Sequence, residues 1–196
     1  MEPKMKRDEE LMFEYKVGHT QALEDIFQRY KVRILNFAFR ILGNRADAED
    51  VVGEVFYILT DKKESFRQES KFSTWLYAIA RNACIDRIRR RKRIVFMWFK
   101  QDKGSQDFRS WDIADDKNFI DDVTKKDIAY HIKAAVNKLP LSQKEAIVLR
   151  EYHNLSYEEI SEILTCSISK VKILIYRARK RLKNKLLPVL GEVKNV

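Results

Sequence analysis

Apolar residues recur three and four positions apart through most of the chain, the spacing that gathers them on one side of a helix. From Gln21 to Leu42 the positions Leu23, Ile26, Phe27, Tyr30, Ile34, Leu35, Phe37, Ala38, Ile41 and Leu42 cover a broad face, predicting a long core helix stopped by Gly43-Asn44. Before it, Leu11, Met12 and Tyr15 predict a short helix from Asp8 that Gly18 ends, with Thr20 capping its successor. Val51, Val52, Val55, Phe56, Ile58 and Leu59 give the apolar side of a third helix, and Asp47, Glu49 and Asp50 sit well against its positive amino end. Leu76, Ile79, Ala80 and Ala83 form the buried stripe of a fourth, with Ser73 as its N-cap. Trp75, Tyr77, Asn82, Asp86 and Arg89 fall outside that stripe or at its edges. Ile128, Ile132, Ala135, Val136 and Leu139 predict a helix over Asp127 to Leu139 that Pro140 closes.

The last third of the chain carries the sharpest punctuation. Ser142 with Glu145, and again Ser156 with Glu159, have the spacing of a capping box, so a helix is expected to start at each. Ile147, Val148 and Leu149 face inward in the first; Ile160, Ile163 and Leu164 line the second. Thr165-Cys166-Ser167 is short and polar enough for a tight turn, and Ser167 can cap the final helix. In that helix Val171, Ile175, Ala178, Leu182 and Leu186 make one stripe. At about 100° per residue the opposite side holds Ser169, Lys172, Ile173, Tyr176, Arg177 and Lys180, flanked by Lys170. This is the pattern of a helix-turn-helix that offers those residues to a DNA groove. An amphipathic surface helix with a solvated basic face has the same pattern.

Where periodicity fails, the chain reads as connection. Lys62 to Lys71 is a polar loop around Phe66, and regularity lapses between Ile94 and Lys125. Ile94 to Phe99 is an apolar piece of either strand or helix form, whereas Gln101 to Asp122 is rich in Asp with interspersed Gly and Ser, as in a linker. The expected fold is therefore all-α: two small helical domains, 1–95 and 125–190, joined by an acidic linker over 96–124, the second a helix-turn-helix bundle of about four helices.

Composition narrows the partners. A net charge of +10 over 196 residues favours a polyanion, either nucleic acid or an anionic membrane surface. No apolar run is long enough to span a bilayer and the amino terminus is too charged for a signal peptide, so a cytoplasmic location is expected. Cys84 and Cys166 stand far apart with no CxxC and no paired His, so neither a disulfide nor a metal site is expected, and no cofactor. Asp47, Glu49, Asp50 and Glu54 occupy one helical surface with no second acidic cluster or His to complete a catalytic metal site, which argues against an enzyme. That acidic face is either solvated or holds a basic partner. The run from Arg87 to Arg93 repels itself unless an anion is present, favouring phosphate contact, while Phe72 and Trp75 read first as core aromatics.

Four stretches resemble one family over nearly the whole chain. GHTQALEDIFQRY (18–30), DAEDVVGEVF (47–56), FSTWLYAIARNACIDRIRRR (72–91), and LPLSQKEAIVL (139–149) through RARKRL (177–182) are similar, in that order, to the sigma-70 family of bacterial transcription initiation factors in its two-domain, extracytoplasmic-function form. The resemblance implies a non-enzymatic subunit that binds core RNA polymerase and directs promoter recognition, melting and initiation. It implies that Asp47, Asp50 and Glu54 meet the clamp helices of the largest polymerase subunit, with the flap of the second largest as a further contact. Lys71, Phe72, Ser73, Trp75, Arg81, Asn82, Asp86, Arg87, Arg89 and Arg90 become candidates for the downstream element and its melted strand. Ser169, Lys170, Lys172, Ile173, Tyr176, Arg177 and Lys180 become candidates for the upstream duplex. The loop Glu64 to Lys71 matches a segment that captures a flipped base, the acidic linker one that threads toward the polymerase active-site channel, and an anti-sigma protein is an implied partner. The runner-up is a stand-alone helix-turn-helix regulator that binds duplex DNA without polymerase.

Three positions depart from the family pattern. Gly53 stands where Gln is common, and Thr165 where the turn usually has Gly. Leu174 stands where an arginine is expected at the DNA face, leaving Ile173 to pack on thymine methyls.

Overall fold

The computed structural model describes residues 6–67, 69–101 and 123–193, and among these there are eight α-helices and no strand. The chain forms two compact units, 1–107 and 108–196. Of the linker expected over 96–124, residues 102–122 lie outside the described residues.

In the first unit α1 (Asp8–Lys16), α3 (Arg45–Asp61) and α4 (Phe72–Gln101) all pack on α2 (Thr20–Leu42). Ile26, Tyr30, Ile34, Phe37, Ala38, Ile41 and Leu42 of α2 are buried as the periodicity predicts. Gly18 takes a left-handed turn at φ 103°, and α2 then starts at Thr20 itself, with His19 in the cap position and no side-chain bond. Thr20 is thus the first helical residue rather than the cap. Gly43 ends α2 at φ 71°, its N–H bonded to the Phe39 carbonyl at 2.8 Å. Asn44 at once caps α3, its Oδ1 accepting from the Asp47 N–H at 2.9 Å.

Helix α4 departs from expectation at both ends. Ser73 is not its N-cap: the helix begins at Phe72, whose N–H donates to Glu9 Oε1 of α1 at 3.2 Å, a cap supplied from 63 residues away. At the other end α4 runs unbroken to Gln101, so Ile94 to Phe99 takes the helical one of its two expected forms, continuous with α4. Tyr77 is also deeper than expected. It lies fully buried, its ring edge-on to Phe37 with centroids 5.6 Å apart. Burial pushes its hydroxyl pKa up to about 12, against the pull of the Arg33 guanidinium. Burial likewise holds the Tyr30 phenol far above its ordinary range, reinforced by its bond to the Asp8 carboxylate, which Arg29 also grips. Asp8 thereby fastens α1 to α2.

The second unit packs α5 (Val123–Asn137), α6 (Leu141–His153) and α7 (Tyr157–Leu164) against α8 (Ile168–Val193). The expected box of Ser142 and Glu145 does not form. Pro140, extended at ψ 141°, already occupies the cap, and its carbonyl accepts from the N–H groups of Gln143 and Lys144, each at 2.9 Å. Ser142 falls inside the first turn, and Glu145 is buried rather than reaching back.

Lys144 beside it is buried too, and loss of hydration pulls its ammonium pKa down to about 8. A lysine whose folded pKa lies below its unfolded value binds fewer protons in the native state, so stability rises with pH between those values. Lys144→Met is expected to remove this pH dependence, so that the stability of the wild type rises relative to the variant between pH 8 and 10.5. Urea titrations followed by circular dichroism from neutral pH up to the ordinary lysine range check this.

Ser156 makes the predicted capping box, Oγ accepting from the Glu159 N–H at 3.1 Å while Glu159 accepts from the Ser156 N–H at 2.6 Å. Helix α7 then ends at Thr165 in a left-handed conformation, φ 52° and ψ 54°, without the glycine that such a position favours. A β-branched residue is strained there. Thr165→Gly is expected to stabilise the protein by about 1 kcal/mol, the strain relief outweighing the entropy that glycine adds to the unfolded chain. A shift in urea midpoint at constant slope would register it.

Candidate nucleic-acid interface

The turn and its caps aim α8 by its amino end. Ser167 Oγ accepts from the Lys170 N–H at 3.2 Å, and Val171, Ile175 and Ala178 lock the helix into the core, with Leu182 and Leu186 half-buried beyond them. Ser169, Lys170, Lys172, Ile173, Tyr176, Arg177 and Lys180 are all exposed, Tyr176 at 66% and Ile173 at 49%. They form one continuous basic face with two apolar projections. Leu174 does not belong to it. It is buried, because it lies three residues after Val171 and four before Ala178 and so extends the core stripe. The departure at that position therefore alters the packing side of α8 and not its exposed face.

Sequence reasoning missed Tyr157. Its ring, at the start of α7, carries the Arg150 guanidinium at 4.9 Å and the Lys172 ammonium at 6.0 Å. Such contacts are worth about 0.5–1 kcal/mol at exposed sites and here restrain a lysine of the exposed basic face. Its signal in the sequence was an aromatic directly after a cap serine.

The second candidate surface lies on α4. Asn82, Asp86, Arg89 and Arg90 line the helix with Ser73, Trp75, Arg81 and Arg87; Asn82, Asp86, Arg89 and Arg90 are exposed, the others half-buried, and Lys71 is exposed just ahead of the helix. Trp75, Asn82, Asp86 and Arg89 recur at seven, four and three residues, so they share one side. Asp86 sits 3.6 Å from Arg89 and tempers its charge. Phe72 is the exception: fully buried, it packs edge-on against Tyr30 at 5.6 Å and Phe66 at 5.5 Å. It offers no open ring face to a base. Trp75 rests on both phenylalanines, at 5.6 Å from Phe66 and 5.9 Å from Phe72, with part of its indole in solvent. The loop Glu64 to Lys71 is described except for Gln68; Phe66 within it is buried and Arg67 and Glu69 are exposed.

The acidic candidates on α3 do not behave as a set. Glu54 accepts from the Arg87 guanidinium at 2.5 Å, and Asp47 pairs with Arg91, so two carboxylates are held against α4. Asp50 is exposed beside Gly53 and Tyr57, the latter 69% accessible. Tyr57 was not among the sequence candidates, and Arg91 was one only as part of the Arg87 to Arg93 run, for phosphate and not for a carboxylate. Nothing in the fold demands glycine at position 53, since an added Cβ would meet open space. Among the described residues no group of His, Cys, Asp and Glu could hold a metal ion, and no helix is long and apolar enough to cross a membrane.

With this geometry in view, residues 26–94 match the family Sigma-70 region 2 and residues 131–182 match Sigma-70, region 4. The chain is 35% identical over 173 residues to the ECF RNA polymerase sigma factor SigW of Bacillus subtilis, covering 87% of this chain and 92% of that one. It is 30% identical over 187 residues to the ECF RNA polymerase sigma-E factor of Haemophilus influenzae, covering 93% and 97%. Among solved structures it is similar to the sigma factor RpoE of Bartonella quintana, determined in complex with the anti-sigma factor NepR, at TM-score 0.64 and 26% identity over 83% of this chain and 95% of that one. The fold is also that of CnrH, determined with the cytosolic domain of CnrY, at TM-score 0.67 and 22% identity over 91% and 96%.

Proposed function

The chain belongs to the sigma-70 family of RNA polymerase sigma factors in its extracytoplasmic-function form, non-enzymatic factors that direct transcription initiation, and from that premise we propose how its two units divide the work. The second unit holds the upstream promoter element as duplex through Lys170, Lys172, Tyr176, Arg177 and Lys180, with Ser169 near the helix start and Ile173 against thymine methyls. The first unit opens and holds the downstream element. Trp75 supplies the stacking surface for an unpaired base, Asn82 and Ser73 polar contacts to base edges, and Lys71, Arg81, Arg89 and Arg90 the phosphate contacts. Arg87 serves the same surface from its pair with Glu54, and Asp86 sets the charge of Arg89. Phe72 acts from beneath, as the support of Trp75.

The observation that carries this reading is the pair of separate basic faces: one on a capped helix-turn-helix, the other built around a half-exposed tryptophan. Duplex and single strand need those different surfaces. Core polymerase is taken by α3, with Asp50 as the outward charge and Asp47 and Glu54 behind it, against the clamp helices of the largest subunit. The flap of the second-largest subunit falls to the second unit, whose hollow of about 350 Å³ between α5, α6 and α8 is lined by Ile132, Val136, Ile147, Tyr152 and Leu182 together with the Glu151–Arg179 ion pair. An anti-sigma protein is a further partner, supported by the likeness to RpoE captured with one. We assign the factor to the cytoplasm, where polymerase is.

Photo-crosslinking tests the division. With p-benzoylphenylalanine at position 75 or 176 of the polymerase-bound factor, position 75 is expected to label the non-template strand of the downstream element and position 176 the upstream duplex. Labelling of duplex DNA from both positions without polymerase would instead favour the stand-alone regulator.

A further inference from the structure

Helix α1 lies wholly outside residues 26–94, the span that matches the family in this unit, yet it touches α4 and the loop before it at three points. Glu9 accepts the Phe72 N–H at 3.2 Å and so caps α4. Lys16 donates to the Phe66 carbonyl at 2.6 Å, lies 5.9 Å from the ring centre of the same residue, and keeps only 22% of its side chain exposed. Tyr15 receives the Lys63 ammonium over its ring at 5.2 Å. Phe66 and Phe72 are the two rings on which Trp75 rests, so both supports of the half-exposed indole are tied by charged groups to one short helix. Asp8 fastens that helix to α2 through Tyr30 and Arg29, which makes the tie rigid at its far end.

We propose that α1 is a positioning element for the melted strand, Glu9 and Lys16 fixing the step of Phe66, Phe72 and Trp75 so that an unpaired base meets a preformed stacking surface. The proposal rests on the reading that Trp75 holds such a base. Taking a base out of the stack is unfavourable by a few kcal/mol, and a surface that is already ordered recovers more of that cost than one that must order on contact. Both bonds have a charged partner and are partly buried, the class in which loss of one partner is most costly. Neither Glu9 nor Lys16 needs to touch DNA for this role.

The test uses holoenzyme assembled from the full chain and core polymerase, with forked promoter probes whose downstream element is either intact or abasic at the unpaired position. For the wild type the abasic probe is expected to bind about tenfold more weakly than the intact one. For Glu9→Ala and for Lys16→Met the intact probe should weaken toward the abasic level, and the difference between probes should fall to about twofold. Glu9→Gln, which keeps the acceptor, should restore most of the discrimination. A variant that lost affinity only through poorer folding would bind both probes less and keep their ratio. Unchanged ratios in folded Glu9→Ala and Lys16→Met, beside a discriminating wild type, overturn the role of α1 alone. A wild type that does not discriminate overturns the assignment of Trp75, and this inference with it.

Discussion

Phe72→Ala is expected to destabilise the first unit by about 3–5 kcal/mol and to abolish promoter opening at physiological temperature. The size of the effect comes from position. The ring is fully buried between Tyr30 of α2 and Phe66 of the preceding loop, with Trp75 against a third side, so its loss leaves a cavity that three stiff aromatics cannot close. Edge-on aromatic contacts add about 0.5–1.5 kcal/mol per pair beyond the area buried, and two are removed at once. Trp75→Ala should behave differently. Part of its indole is already in solvent, so stability should fall much less while strand capture is lost. Thermal melts of the two variants beside permanganate reactivity of the promoter separate support from contact. A Phe72→Ala protein as stable as the wild type would contradict the packing described.

The second large effect is on polymerase. Asp50→Lys is expected to weaken binding to core polymerase at least tenfold, about 1.4 kcal/mol, with stability changed by no more than about 0.5 kcal/mol. Asp50 is exposed on α3, so reversal places a like charge against a basic partner surface and disturbs little within the fold. Glu54→Lys is a poorer probe. It breaks the 2.5 Å pair with Arg87, whose side chain is only 19% exposed, and sets two cations together. Loss of polymerase binding in that variant would mix interface and fold. Fluorescence anisotropy with labelled factor and core polymerase measures Asp50→Lys directly, and an unchanged affinity would mean that α3 is not the docking face.

The helical architecture was legible because α2, α3, α7 and the first half of α8 each bury one clean stripe, and the caps of α7 and α8 are local, within three residues of the groups they satisfy. What escaped was non-local or masked by charge. The cap of α4 comes from Glu9, and no window around Ser73 contains it. The extension of α4 to Gln101 was hidden because its continuation from Ile94 is apolar on all sides after a run of arginines, so no stripe marks it as helix. Tyr77 was placed at an edge because its hydroxyl counts as polar, whereas the ring is core and Arg33 attends the hydroxyl. Leu174 was assigned to the DNA face by the family pattern, although its own spacing from Val171 and Ala178 places it in the core. The pairing of Asp47 with Arg91 and Glu54 with Arg87 joins two stretches that the sequence presents as separate acidic and basic sites.

Promoter-dependent run-off transcription is the most direct measure of the whole account. Purified protein and core polymerase on closed linear templates from a genomic promoter library should give discrete run-off products that neither component gives alone, with product lost in Trp75→Ala while binding to core persists. Absence of any product, from a protein that still shifts duplex promoter DNA by itself, would contradict it.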